Sequence, residues 1–302
     1  MKEHVMVFGK AQPLVGIITD PLPSMTSTVL PAILLLNAGL VHRVGPDRLY
    51  VELARRLAAR GFLVVRFDFS GIGDSPVRAD NLPVEESMVL EIGDVMDAVT
   101  RRHGIDRFCL MGLCSGAIAS FITARQDSRV VGAVLMNARG FARSAAWQHY
   151  VESHTLMRHY WTRLLRPGAW WRALTGKTKY ALLAKVLRLR FKNVLGRGPE
   201  VAVVADSLAA DMEKMLARRV RFLLVFADKD PSVDYLRKIT PERYRKGRPD
   251  DAVSSVTIKG ANHIFRGLSH REQVLSAIET WAVRSWPATE HRTPLPERSL
   301  AR

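Results

Sequence analysis

The pentapeptide Gly112-Leu113-Cys114-Ser115-Gly116 follows directly on the apolar run Phe108-Cys109-Leu110-Met111, and few backbone paths accommodate that pairing. A short apolar run reads as a buried strand. Glycines two residues either side of a reactive side chain predict a strand that turns sharply into a helix. The middle residue is then held in a strained conformation with its side chain exposed. The glycines are needed because a Cβ at either position would collide with neighbouring backbone. Two further strand-like runs end in residues that suit the same chemistry. Phe222-Leu223-Leu224-Val225-Phe226 leads into Ala227-Asp228-Lys229-Asp230-Pro231, and Val256-Thr257-Ile258 leads into Lys259-Gly260-Ala261-Asn262-His263. A thiol, a carboxylate and an imidazole thus follow three separate strands, in the order Cys114, Asp230, His263.

Two upstream segments complete the pattern. Pro31-Ala32-Ile33-Leu34-Leu35-Leu36 opens into Asn37-Ala38-Gly39-Leu40, and Phe62-Leu63-Val64-Val65-Arg66-Phe67 opens into Asp68-Phe69-Ser70-Gly71-Ile72-Gly73-Asp74-Ser75. With the D-x-x-G-x-G-x-S turn and the order of nucleophile, acid and base, the chain resembles the α/β-hydrolase superfamily over roughly residues 1–140 and 220–286. The stretch Asn37 to Asp47 and the segment Arg66 to Ser75 also look like the hydrolases associated with exosortase systems. Such relatives usually carry serine at the elbow, so Cys114 reads as a cysteine-nucleophile variant.

The resemblance implies an α/β fold, with a mainly parallel central sheet, helices on both faces and a helical cap insertion. It implies that Cys114 is the nucleophile, His263 the base and Asp230 the acid. The backbone N–H groups of Leu40 and Ser115 would form the oxyanion hole, and Gly112 and Gly116 would be the elbow glycines. Asp228 and Asp234 compete with Asp230 for the acid's role, and Pro231 after Asp230 favours the latter. Asp68 and Asp74 read as turn formers.

Along the chain, His4–Phe8 and Leu14–Ile18 read as an antiparallel start to the sheet. Helical periods cover Asp47–Arg60, Val84–Arg102, Ser115–Arg125 and Glu272–Trp286, and a strand covers Val130–Met136. The sheet pattern then stops until Arg221. Between them, apolar residues at helical spacing in Ala145–Leu165 and Lys179–Lys192 suggest a lid. The expected division is a core of 1–139 and 220–286, a basic helical lid of 140–219 and a tail of 287–302.

The formal net charge is +16, and residues 139–219 hold 16 Lys and Arg against 5 Asp and Glu. One-signed charge interleaved with Trp161, Trp170, Trp171 and Phe191 suits an acidic acyl carrier protein, coenzyme A phosphates or peripheral contact with an anionic membrane. Nucleic acid is not expected, because no binding fold accompanies the charge. The two cysteines, Cys109 and Cys114, lie on one strand and its elbow and form no disulfide framework. No zinc motif is present, and neither a metal nor a cofactor is expected. No apolar stretch nears 18 residues and no signal-peptide layout opens the chain, so the expected compartment is the cytoplasm.

A thiolate exchanges readily with thioesters. The leading expectation from sequence is therefore an acyltransferase or thioesterase working through a Cys-linked acyl-enzyme on a carrier- or CoA-bound acyl group. The alternatives are a carboxylester hydrolase acting on a lipidic or capsule-related acyl group, and a non-catalytic binding protein for an acidic partner.

Overall fold

The computed structural model describes residues 2–9, 12–22, 30–138, 199–230 and 252–287, with backbone alone over 199–206. Among the described residues, eight strands form one sheet: β1 (Glu3–Phe8), β2 (Leu14–Thr19), β3 (Ala32–Leu36), β4 (Val64–Phe67), β5 (Phe108–Leu113), β6 (Val130–Met136), β7 (Arg221–Ala227) and β8 (Val253–Ile258). Their spatial order is β1-β2-β4-β3-β5-β6-β7-β8. The β1–β2 and β2–β4 pairings are antiparallel, and every other pairing is parallel. This is the α/β-hydrolase fold that the sequence implied.

Alternation along the strands divides the core in two, because successive side chains leave opposite faces. Leu34, Leu36, Leu110 and Leu224 pack on one face against α2 (Val84–His103), α3 (Ser115–Gln126) and α4 (Pro199–Ala217). Ile33, Leu35, Met111 and Val225 pack on the other against α1 (Leu49–Ala59) and α5 (Leu268–Ser285). Every residue of β3 is buried, as expected for a central strand covered on both sides. The predicted helix over 47–60 starts as a 3₁₀ turn at Pro46–Arg48, and the one over 272–286 starts earlier, at Leu268.

The segment expected as a lid is described only from residue 199. There α4 places Leu208, Met212 and Met215 in the core, and its Asp211 pairs with Arg125 of α3 at 2.9 Å. The last part of that segment is thus a layer of the sheet's helical cover. The helices read over 145–165 and 179–192, the aromatic residues among them, Asp234 and the tail from 288 lie outside the described residues. No helix among the described residues is long and apolar enough to cross a membrane.

The fold matters for function because the strands from β3 to β8 all point the same way. Their carboxyl ends deliver Asn37, Asp68, Cys114, Asn137, Asp228–Asp230 and the loop containing His263 to one edge of the sheet, where open α/β sheets hold their ligands.

Candidate active site

At the end of β5, Cys114 takes φ 58° and ψ −112°, a conformation disfavoured for any residue with a side chain. Two backbone hydrogen bonds fix it: Cys114 N donates to Met136 O at 2.9 Å, and Ile118 N donates to Cys114 O at 3.2 Å. The glycines have the reason that the spacing implied. A Cβ on Gly112 would lie 2.2 Å from the carbonyl carbon of Gly116, and one on Gly116 would lie 2.7 Å from both Leu36 O and Asn37 O. The turn therefore closes only with bare backbone at both positions. Beneath it, the buried Tyr50 hydroxyl accepts from Leu113 N at 3.0 Å, and burial pushes that phenol's pKa up, keeping it neutral. Because α3 begins at Ser115, its amide groups and positive dipole end favour negative charge developing at the elbow.

The residues expected as acid and base, Asp230 and His263, lie on the two loops after β7 and β8. Asp230 is almost wholly buried, and its Oδ2 meets Nδ1 of the part-buried His263. The contact fixes the imidazole's orientation through Nδ1. Asp228, the competing acid, does something else: its Oδ1 accepts from Gly260 N at 2.7 Å, tying the two loops together. Lys229 N adds a bond to Ala261 O at 3.1 Å.

Asn137, which the sequence reading did not single out, braces this arrangement. It is fully buried, with φ 42° at the end of β6. Its Nδ2 donates to His263 O at 2.7 Å, its Oδ1 accepts from Ala227 N at 2.8 Å, and its own N donates to Val225 O at 2.9 Å. Since Met136 holds Cys114 and the next residue holds His263, elbow and base share one strand end. The signal available in sequence is its place just past the apolar strand Val130–Met136.

In the loop after β3 the Leu40 side chain projects into solvent, 89% exposed, and the amide of its neighbour Gly39 donates to Ser115 Oγ at 2.8 Å. Asn37 anchors the loop's base. Its Nδ2 donates to Val41 O at 3.0 Å and to Asp68 Oδ1 at 3.1 Å, and its Oδ1 accepts from Phe69 N at 2.8 Å. Asp68 and Asp74 do shape a turn, and both also receive the guanidinium of Arg43.

The other cysteine, Cys109, is wholly buried, and burial raises its thiol well above the usual range. It behaves as a small apolar side chain. Among the described residues, no group of three or more His, Cys, Asp and Glu is placed to hold a metal ion.

With this geometry in place, the family described as serine aminopeptidase S33 matches residues 32–264, more than half of the chain. The chain belongs to the serine aminopeptidase S33 family. Solved structures agree on the fold. XC6422 from Xanthomonas campestris, an α/β serine hydrolase without a lid, is 15% identical over 95% of this chain and 97% of its own, with a TM-score of 0.55. Proline iminopeptidase from Mycobacterium smegmatis is 16% identical over 93% and 98%, with a TM-score of 0.56. The Pyrococcus furiosus esterase Pf2001 is 13% identical over 94% and 91%, with a TM-score of 0.58. No curated protein matches the chain.

Membership of this family corrects the reading of Cys114 as the mark of a separate cysteine-nucleophile branch allied to exosortase-system hydrolases. It equally removes the support for an acyltransferase or thioesterase working through a Cys-linked acyl-enzyme, since the family is one of serine aminopeptidases. The physical reason is local. The elbow is made by backbone strain and by space for two glycines, and both are the same whether an oxygen or a sulfur projects from residue 114. A thiol at that point therefore says little about which acyl donor the site takes.

Proposed function

We propose that this chain is a hydrolase of esterase type, cleaving a carboxylic ester at the carboxyl edge of the sheet. The site consists of residue 114 at the elbow, His263 as general base and Asp230 as its orienting acid. The observation that carries the reading is the contact of buried Asp230 with His263 Nδ1, on loops braced to the strand end that also fixes the elbow. In this reading the substrate carbonyl lies over the elbow, with its oxygen toward the amides of Ser115 and Gly39. His263 Nε2 removes the proton of the attacking group and returns it to the leaving group, while Asp230 stabilises the imidazolium formed between those steps. Water ends as the acyl acceptor.

The family's name adds an amide arm to the test. A panel of p-nitrophenyl esters of increasing acyl length and of aminoacyl p-nitroanilides, assayed with wild type and Asp230→Asn, should show ester turnover that falls steeply in the variant. No turnover of any ester by wild type would contradict the reading, and turnover of anilides alone would move it to aminopeptidase.

The same proposal places the chain in the cytoplasm and gives it an anionic substrate or partner, an acidic carrier protein or coenzyme A among them. Support comes from the excess of Lys and Arg in residues 139–219. Attraction of this kind weakens as salt shortens the screening length. The KM for a carboxylated ester should thus rise between low and high salt more than that for a neutral one, and equal responses would remove the anionic partner.

A further inference from the structure

The amide of Gly39 sits on a loop that enters the core at Ala38 and leaves it at the tip. Leu40 at its tip faces solvent, and the loop's internal pairing is a single bridge between Ala38 and Val41. An amide that must meet a developing oxyanion is effective only if its position is set before the reaction. Beyond the anchor that Asn37 gives its base, a second hold on this loop comes from Arg43. Its backbone N donates to Asp68 Oδ1 at 2.6 Å, one terminal guanidinium nitrogen donates to Asp68 Oδ2, and the other donates to Asp74 Oδ2 at 2.5 Å.

The receiving side is rigid. Asp68 is fully buried at the end of β4. Its N donates to Val15 O at 3.0 Å, and its carbonyl accepts from Ser75 Oγ at 2.7 Å, while that same oxygen of Ser75 accepts from Val15 N at 2.9 Å. Gly73 packs so closely that a Cβ there would lie 2.2 Å from Asp68 Oδ2. Asn37 Nδ2 donates to the same carboxylate that holds Arg43, so the two ends of the loop converge on one group.

We infer that Arg43 is a positioning residue, clamping the loop after β3 to the turn after β4 so that the Gly39 amide stays directed at the elbow. The inference rests on the hydrolase reading for its catalytic consequence and on the contacts alone for its structural one. A planar fork spans two carboxylates at once, whereas a lysine ammonium is a compact point charge on a flexible stem, so Arg43→Lys restores part of the clamp.

The test compares wild type, Arg43→Lys and Arg43→Ala by steady-state ester hydrolysis, hydrogen exchange of the amides of residues 37–45 and thermal unfolding. In Arg43→Ala, kcat per folded molecule is expected to fall roughly 10- to 100-fold with KM within about two-fold, since a misplaced donor is missed chiefly in the transition state. The loop amides should exchange at least about ten-fold faster while those of β5 keep their protection. Arg43→Lys should lie between the two. Unchanged kcat per folded molecule, or a loop that stays protected in Arg43→Ala, would overturn the inference. If wild type hydrolyses no ester, the proposed function fails by itself, and the exchange of the loop amides still decides the clamp.

Discussion

At the scale of single residues, the structure separates groups that sequence placed side by side. Asp228 and Asp230 both follow β7, yet one ties loops and the other meets the imidazole. Asp230→Asn should therefore cost activity by about 10³-fold or more, as expected when a base loses its orienting acid, while Asp228→Asn leaves kcat within a few-fold. Comparable losses in both would show that loop geometry, not the Asp230–His263 pair, is what matters. Position 114 supports a parallel prediction: Cys114→Ser, which installs the hydroxyl usual in serine hydrolases, should retain ester hydrolysis, and Cys114→Ala should lose it. Undiminished hydrolysis by Cys114→Ala would remove residue 114 from the site. Three of the important contacts were hidden for a simple reason. Asn137 with His263, Arg43 with Asp68 and Gly39 with Ser115 each join residues far apart in the chain, and no local pattern encodes such partners.

Among the elements, strands and helices were legible wherever one face or both had to be apolar. β3, β5, β6 and β7 are continuous apolar runs because they are buried on both faces, and α1, α2 and α3 began and ended close to their periodic stretches. α4 went unread in the sequence because its residues fall inside the segment taken as a lid, and an apolar face does not say what covers it. The junction of β5 and α3 is where packing constrains function most tightly. Gly116→Ala places a Cβ against backbone oxygens of Leu36 and Asn37, atoms that cannot swing aside. The helix must then move away from β3, with a stability loss of about 1–3 kcal/mol typical of overpacking and a matching drop in activity. Urea unfolding of the variant measures the first. A stability equal to wild type would mean that the elbow is looser than these distances imply.

For the molecule as a whole, the order of residues in the chain was informative because the fold delivers successive strand ends to one edge. That is why Asp230 and His263 could be paired from sequence, and why the fold class could be read. The acyl donor could not, since it depends on the surroundings of the site rather than on the atom at its centre. A global property tied to burial is the response to acid. Burial holds the His103 imidazole below the usual histidine range, with Arg102 and His4 adding repulsion and Asp20 opposing it. In the unfolded chain this group protonates near pH 6.5. As pH falls below that value the unfolded state binds more protons, and His103 makes the folded state progressively less stable. Wild type should thus lose more thermal stability than His103→Gln between about pH 7.5 and about pH 5.5, and equal losses would contradict the burial argument.

The most direct test of the central claim is kcat/KM for the best ester substrate measured side by side for wild type and His263→Ala, with folding checked by circular dichroism. The account predicts a loss of about 10³-fold or more in a variant that remains folded. A folded His263→Ala with wild-type kcat/KM would show that the Asp230–His263 pair does not drive the reaction.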